Sequence, residues 1–101
     1  MGAAAKFPIP QLAGVHVALS AVRGYIHTLN SALEGTGVYA GALLIGATIE
    51  NSRAHREQLA PAVGDRPMPV VKPDDLADVL WDLYTKRDRV EDVVAPAFAD
   101  V

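Results

Sequence analysis

His16 and Ser20 stand four apart in the segment GVHVALSAVRGYIH, a spacing that sets an imidazole beside a hydroxyl on one face of a helix. That is the beginning of a nucleophile and base pair, but no acid to orient the imidazole and no oxyanion hole accompanies it in the sequence, so a solvated helix face is expected. His16 and His27 share that face at about 16 Å of helical rise, too far apart to ligate one metal ion. His55 lies among Arg53, Arg56 and Glu57 and reads as a surface residue. No metal site is expected. Tyr25, Tyr39 and Tyr84 are followed at the fourth position by Leu29, Leu43 and Asp88, so none has an ammonium one helical turn away to stabilise a phenolate. The stretch GTGVYAGALLIGA, residues 35–47, carries the glycines of a phosphate loop in the wrong order, with a helix before them and a strand after. Gly35 and Gly37 are therefore expected to stop the helix and turn the chain, where positive φ costs glycine little.

The elements that must position these residues follow from spacing. Leu12, Val15, Leu19, Val22, Ile26, Leu29 and Leu33 recur every three or four residues, widened by Ala18, Ala21, Tyr25 and Ala32, which predicts a long amphipathic helix from Gln11 to near Gly35. His16, Ser20, Arg23, His27, Asn30 and Glu34 fall on the opposite face. Residues 38–45 are apolar on both faces, as in a parallel strand covered by helices. Asn51 or Ser52 is expected to cap a short helix running to about Leu59. Pro61, Pro67, Pro69 and Pro73 punctuate a loop. Pro73 and the acidic Asp74 and Asp75 suit a helix start, with Leu76, Leu80 and Leu83 on one face through Tyr84 and Lys86 and Arg87 at its negative end. Trp81 and Tyr84, three apart, read as core or pocket wall. The β-branched run 89–94 predicts a short edge strand. The fold class is α/β, with a right-handed crossover joining two parallel strands. Residues 1–101 form a single domain behind an irregular leader, residues 1–10.

Composition narrows the function. Of 101 residues, 50% are hydrophobic and 21% charged, an ordinary globular balance. A net charge of −3 gives no footprint for nucleic acid. There is no cysteine, hence no thiolate nucleophile or zinc-thiolate site, which suits a reducing cytoplasm. No apolar run approaches the length of a membrane span, and MGAAAKF, broken by Lys6 and Pro8, is no signal peptide, so a cytoplasmic protein is expected.

Residues 18–52, ALSAVRGYIHTLNSALEGTGVYAGALLIGATIENS, resemble the second half of the short-chain dehydrogenase/reductase fold. In that family a helix with a Tyr-x-x-x-Lys motif continues into an alanine-rich segment with Leu-Arg and an aromatic, then a Gly turn and a strand ending in Pro-Gly. The matching pieces here are Ala21-Val22-Arg23-Gly24-Tyr25, Gly35-Thr36-Gly37-Val38 and Ile45-Gly46. KPDDLADVLWDLYTKRD is similar to the helix before the family's last strand, which implies that Trp81 and Tyr84 lie in the core. The resemblance implies a partial Rossmann-like fragment and an NAD(P)-dependent oxidoreductase ancestry.

The same resemblance puts Val15 where the family keeps its catalytic tyrosine and Leu19 where it keeps the lysine, and neither can transfer a proton. It implies that Val15 and Leu19 form a substrate-side wall and that Gly46, Ala47 and Thr48 form the loop beside the nicotinamide, with Ile45 in place of the usual proline. The family's Gly-rich adenosine and pyrophosphate site lies before the matched region and has no counterpart here. NAD(P) is thus implied by resemblance only, with none expected to bind the isolated chain. The expectation is an oxidoreductase fragment without catalytic residues, contributing to a larger or split enzyme. The alternative is a non-catalytic helix-mediated oligomerisation module, and a third is a small lyase or isomerase using His16 or His27. A homo-oligomer or a complementing subunit of the same family is expected, with Leu19, Val22 and Ile26 near the seam.

Overall fold

A 20-residue helix, α1, runs over Ala13–Ala32, entered through a 3₁₀ turn at Pro10–Leu12. It stops where the glycines predict, with Gly35 at φ 79° and Gly37 at φ 81°. The computed structural model describes residues 1–59 and 66–98, so Pro61 lies outside the described residues. Strand β1 (Ala42–Ile45) follows, then β2 (Thr48–Ile49), α2 (Arg53–Arg56), β3 (Val70–Val71), α3 (Pro73–Lys86) and β4 (Glu91–Val94), closed by a 3₁₀ turn at Pro96–Phe98.

β1 and β4 pair in parallel, Ala42 opposite Glu91 through Ile45 opposite Val94. The N-terminus lies on the other edge of β1: Gly2 bridges Ile45 in parallel, the Met1 ammonium donates to Leu43 O at 2.7 Å, and Ile45 N–H donates to Met1 O at 2.8 Å. Alternation along β1 then splits the core into two layers. Ala42 and Leu44 face Ala5, Leu19 and Ile26 on the α1 side, together with Val93 of β4. Leu43 packs with Leu76 and Leu83 of α3, joined by Val79, Ile45 and Val94. Helices thus cover both faces of a short parallel pair, an α/β arrangement.

Several expectations change. Residues 1–10 are no irregular leader, because Ala3–Ala5 form a buried 3₁₀ turn; alanine side chains are small enough to fit beneath α1 against the strand. The apolar run 38–45 becomes strand only from Ala42, where Ala42 N–H finds Val90 O. Before it, the Tyr39 ring folds over Gly41 and leaves no room for a Cβ there, and the phenol donates to Arg89 O. Ser52, not Asn51, caps α2 by accepting from His55 N–H, and the helix ends at Arg56, short of Leu59. The proline-punctuated loop contains a strand: Val70 and Val71 pair in parallel with Thr48 and Ile49, and Pro69, which has no N–H to give, still accepts from Thr48 through its carbonyl.

α3 starts at Pro73 and reaches Lys86, with Arg87 as its C-cap, where the basic pair was expected. Its inward face is Leu76, Val79 and Leu83; Leu80 is exposed. Trp81 and Tyr84, expected in the core, are 66% and 53% exposed because the helix seats on β1 through the other face. Arg87 ends α3 in the left-handed region, its N–H on Leu83 O, and its guanidinium lies over both Tyr84 and Tyr39 while donating to Gly37 O. Arg89 then joins Asp82 of α3 to Asp92 of β4. Among the described residues, no helix is long and apolar enough to cross a membrane.

Candidate functional site

The polar face of α1 is turned toward the protein rather than toward solvent. Its cause is the Ala3–Ala5 turn, whose short 3₁₀ helix leaves its last carbonyls without intrahelical partners. Lys6 N–H and Phe7 N–H both reach Ala3 O, while His16 Nδ1 meets Ala4 O and the Ser20 hydroxyl donates to Ala5 O at 3.0 Å. The expected solvated face is therefore corrected for His16 and Ser20, which are half-buried and fasten the N-terminal turn to α1.

This geometry also fixes what the pair can do. A carbonyl oxygen only accepts, so His16 Nδ1 carries the proton it shares with Ala4, and the Ser20 proton points at Ala5. The 3.5 Å approach between Ser20 Oγ and His16 Nδ1 therefore joins two groups that are both donating elsewhere. His16 is not placed to take a proton from Ser20, and no nucleophile is activated.

One turn further on, Arg23 makes a bidentate pair with Glu91 at the start of β4, at 2.6 and 2.9 Å, and His27 Nε2 lies 3.1 Å from the same carboxylate. Arg23, by these two hydrogen bonds above all, holds the Glu91 carboxyl down at about 2, with burial opposing and His27 adding to the effect. A carboxylate so engaged is an anchor between helix and strand, not a general acid near neutrality. The phenol of Tyr39, which donates to Arg89 O, is pushed above its usual range by burial, the opposite of what a proton-transfer tyrosine needs.

The anchor has a pH signature. Because the folded pKa of Glu91 is depressed, its contribution is fully present above the unfolded value of about 4.3 and disappears as pH falls through about 2. With the Glu91 side chain 12% exposed and two charge-assisted bonds at stake, Glu91→Gln should cost about 2 kcal/mol at pH 7. Urea unfolding of both proteins at pH 7, 4 and 2 is the measurement; a difference that persists undiminished at pH 2 would exclude the ion pair as its source.

The residues singled out from the sequence do not converge. Val15 is 47% exposed, whereas Leu19 packs against Ala5, Ala42 and Leu44, so the two do not line one wall. Leu19 and Ile26 turn inward and Val22, 47% exposed, turns out, which splits the expected seam. His55 is half-buried, accepting at Nδ1 from Asn51 N–H. The Gly46 loop is closed by the protein itself: Gly46 N–H donates to Val94 O, its carbonyl accepts from Ala97 N–H, and Thr48 N–H donates to Pro69 O. A Cβ at Gly46 would stand 2.7 Å from Ala95 Cβ and 2.9 Å from the Phe98 ring, and Thr48 is 6% exposed. A nicotinamide carboxamide needs open backbone donors and acceptors, and Gly46 N–H, Gly46 O and Thr48 N–H are already used within the protein. Arg23, His27 and Glu91 were the grouping that sequence reasoning missed. The regular spacing of His16, Ser20, Arg23 and His27 was the available signal.

The chain is an α/β protein in which Arg23, His27 and Glu91 join helix α1 to strand β4. No family model matches the chain, and no curated protein or solved structure is significantly similar to it.

Proposed function

We propose that the chain is a fragment resembling the C-terminal half of a short-chain dehydrogenase/reductase, inactive by itself and contributing to a larger or split NAD(P)-dependent oxidoreductase. The observation that carries this reading is the parallel order of Met1 and Gly2, β1 and β4, with a helix on each face. So short a parallel set supports the reading, since parallel sheets are normally larger. Within such an assembly Val15 remains available as substrate-side wall, while the nucleotide site belongs to the complementing unit.

A second reading, a non-catalytic helix-mediated module, is favoured by the outer side of α1. Val15, Ala18, Val22 and Tyr25 form an exposed apolar strip there, with Val22 at 47% and Tyr25 at 66% exposure. Both readings require a covering surface, supplied by a second copy or by a related subunit.

One preparation tests both. Calorimetric titration with NADH and NADPH should show no saturable binding tighter than about 100 μM, roughly −5.5 kcal/mol; tighter binding would overturn the inactive fragment. Sedimentation equilibrium at micromolar concentration should show at least a dimer, and Val22→Asp, at a side chain facing away from the core, should return a folded monomer. A wild-type chain that is already a compact monomer would remove the helix-mediated module.

A further inference from the structure

A cleft of about 400 Å³ opens beside the polar face of α1, lined by Lys6, His16, Ser20, Arg23 and His27. We propose that it binds a phosphate group, either inorganic phosphate or the head of a small phosphate monoester. The lining holds two cations and no carboxylate; the nearest, Glu91, is already paired with Arg23 and His27. Neither cation is fully engaged. Lys6 Nζ lies over the Phe7 ring, 5.7 Å from its centroid, with no hydrogen-bond partner among the described residues, and Arg23 uses Nε and Nη2 on Glu91 while Nη1 has none.

The imidazoles specify the ligand further. His16 commits Nδ1 to Ala4 O and His27 commits Nε2 to Glu91, so His16 Nε2 and His27 Nδ1 remain, and in the neutral rings these are acceptors. The cleft therefore combines donors on Lys6 and Arg23 with acceptors on two histidines. A phosphate group, whose second ionisation falls near pH 6, is mostly dianionic at pH 7, and the cleft selects its monoanion, the form that carries an O–H and anionic oxygens together and can meet both kinds. Sulfate and carboxylates offer only acceptors near neutrality. The volume exceeds that of phosphate alone and leaves space for a small organic body.

The test is the imidazole NMR spectrum of the full chain at pH 7, titrated separately with inorganic phosphate, methyl phosphate and sodium sulfate. His16 and His27 should shift saturably with a phosphate ligand and more weakly with sulfate, while His55, on α2 and held by Asn51, stays unmoved. A tighter curve for methyl phosphate assigns the site to monoesters, and a tighter curve for inorganic phosphate assigns it to the free ion. Lys6→Glu, at an exposed position, should weaken binding at least about tenfold, equivalent to ~1.4 kcal/mol, with an unchanged circular dichroism spectrum. Absence of saturation, equal shifts in all three histidines, sulfate binding as tight as phosphate, or Lys6→Glu titrating like wild type would each overturn the proposal.

Discussion

Gly46→Ala should lower the unfolding free energy by about 3 kcal/mol, at the upper end of what one added methyl group does to a close-packed site. The new Cβ would meet Ala95 Cβ at 2.7 Å, Phe98 Cδ2 at 2.9 Å and Ala3 Cβ at 3.0 Å. Two of these neighbours are alanine Cβ atoms fixed to backbone, so relief requires moving the N-terminal turn or the Pro96–Phe98 turn away from β1. Equilibrium urea unfolding measures the loss, and adding Ala95→Gly to the same chain should recover part of it by removing the nearest contact. A neutral Gly46→Ala would mean that the loop stands open, with room for a ligand beside Gly46.

Leu44→Ala should cost about 3.5 kcal/mol, within the usual range for a leucine emptied from a core. Leu44 is the one fully buried large side chain among the described residues, at 0% exposure, enclosed by Ala5 and Ala42 with Leu19, Ile26, Met1 and Val93 around them. Its surroundings have little freedom to collapse into the cavity, because β1 is hydrogen-bonded on both edges, to β4 and to Met1 and Gly2. For a domain whose total stability is of the order of 5–15 kcal/mol, that is a large fraction. The denaturant midpoint should fall with little change in slope; a loss below about 1 kcal/mol would show that the α1 layer is not a packed core.

Much of the scaffold was legible because its causes are local. The three- and four-residue spacing of apolar side chains, ended by Gly35 and Gly37, sufficed for α1, and Pro73 with Asp74 and Asp75 sufficed for the start of α3. Ser52 was a capping candidate from its side-chain chemistry alone. The apolar run before Gly46 and the β-branched run after Arg89 were recognisable as strands, although their ends were set by mutual pairing and not by composition. That no tyrosine has a lysine one turn away was also plain in the residue order.

What the sequence by itself determined, then, is which segments coil or extend and which chemical groups are absent. Tertiary structure decided which face each segment presents. An apolar stripe on α1 does not say that the polar stripe beside it will also be turned inward; that followed from the orphan carbonyls of Ala4 and Ala5 and from Glu91, 68 residues away from Arg23. Trp81, expected in the core by the resemblance, stands in solvent because Leu76, Val79 and Leu83 seat the helix first. Gly46 reads as an open loop and is filled by Ala3, Ala95 and Phe98 from the two ends of the described chain. In each case the deciding partner is distant in sequence. Periodicity reports only what lies within a few residues, whereas unsatisfied backbone groups and close-packed side chains take whichever partner the fold brings near.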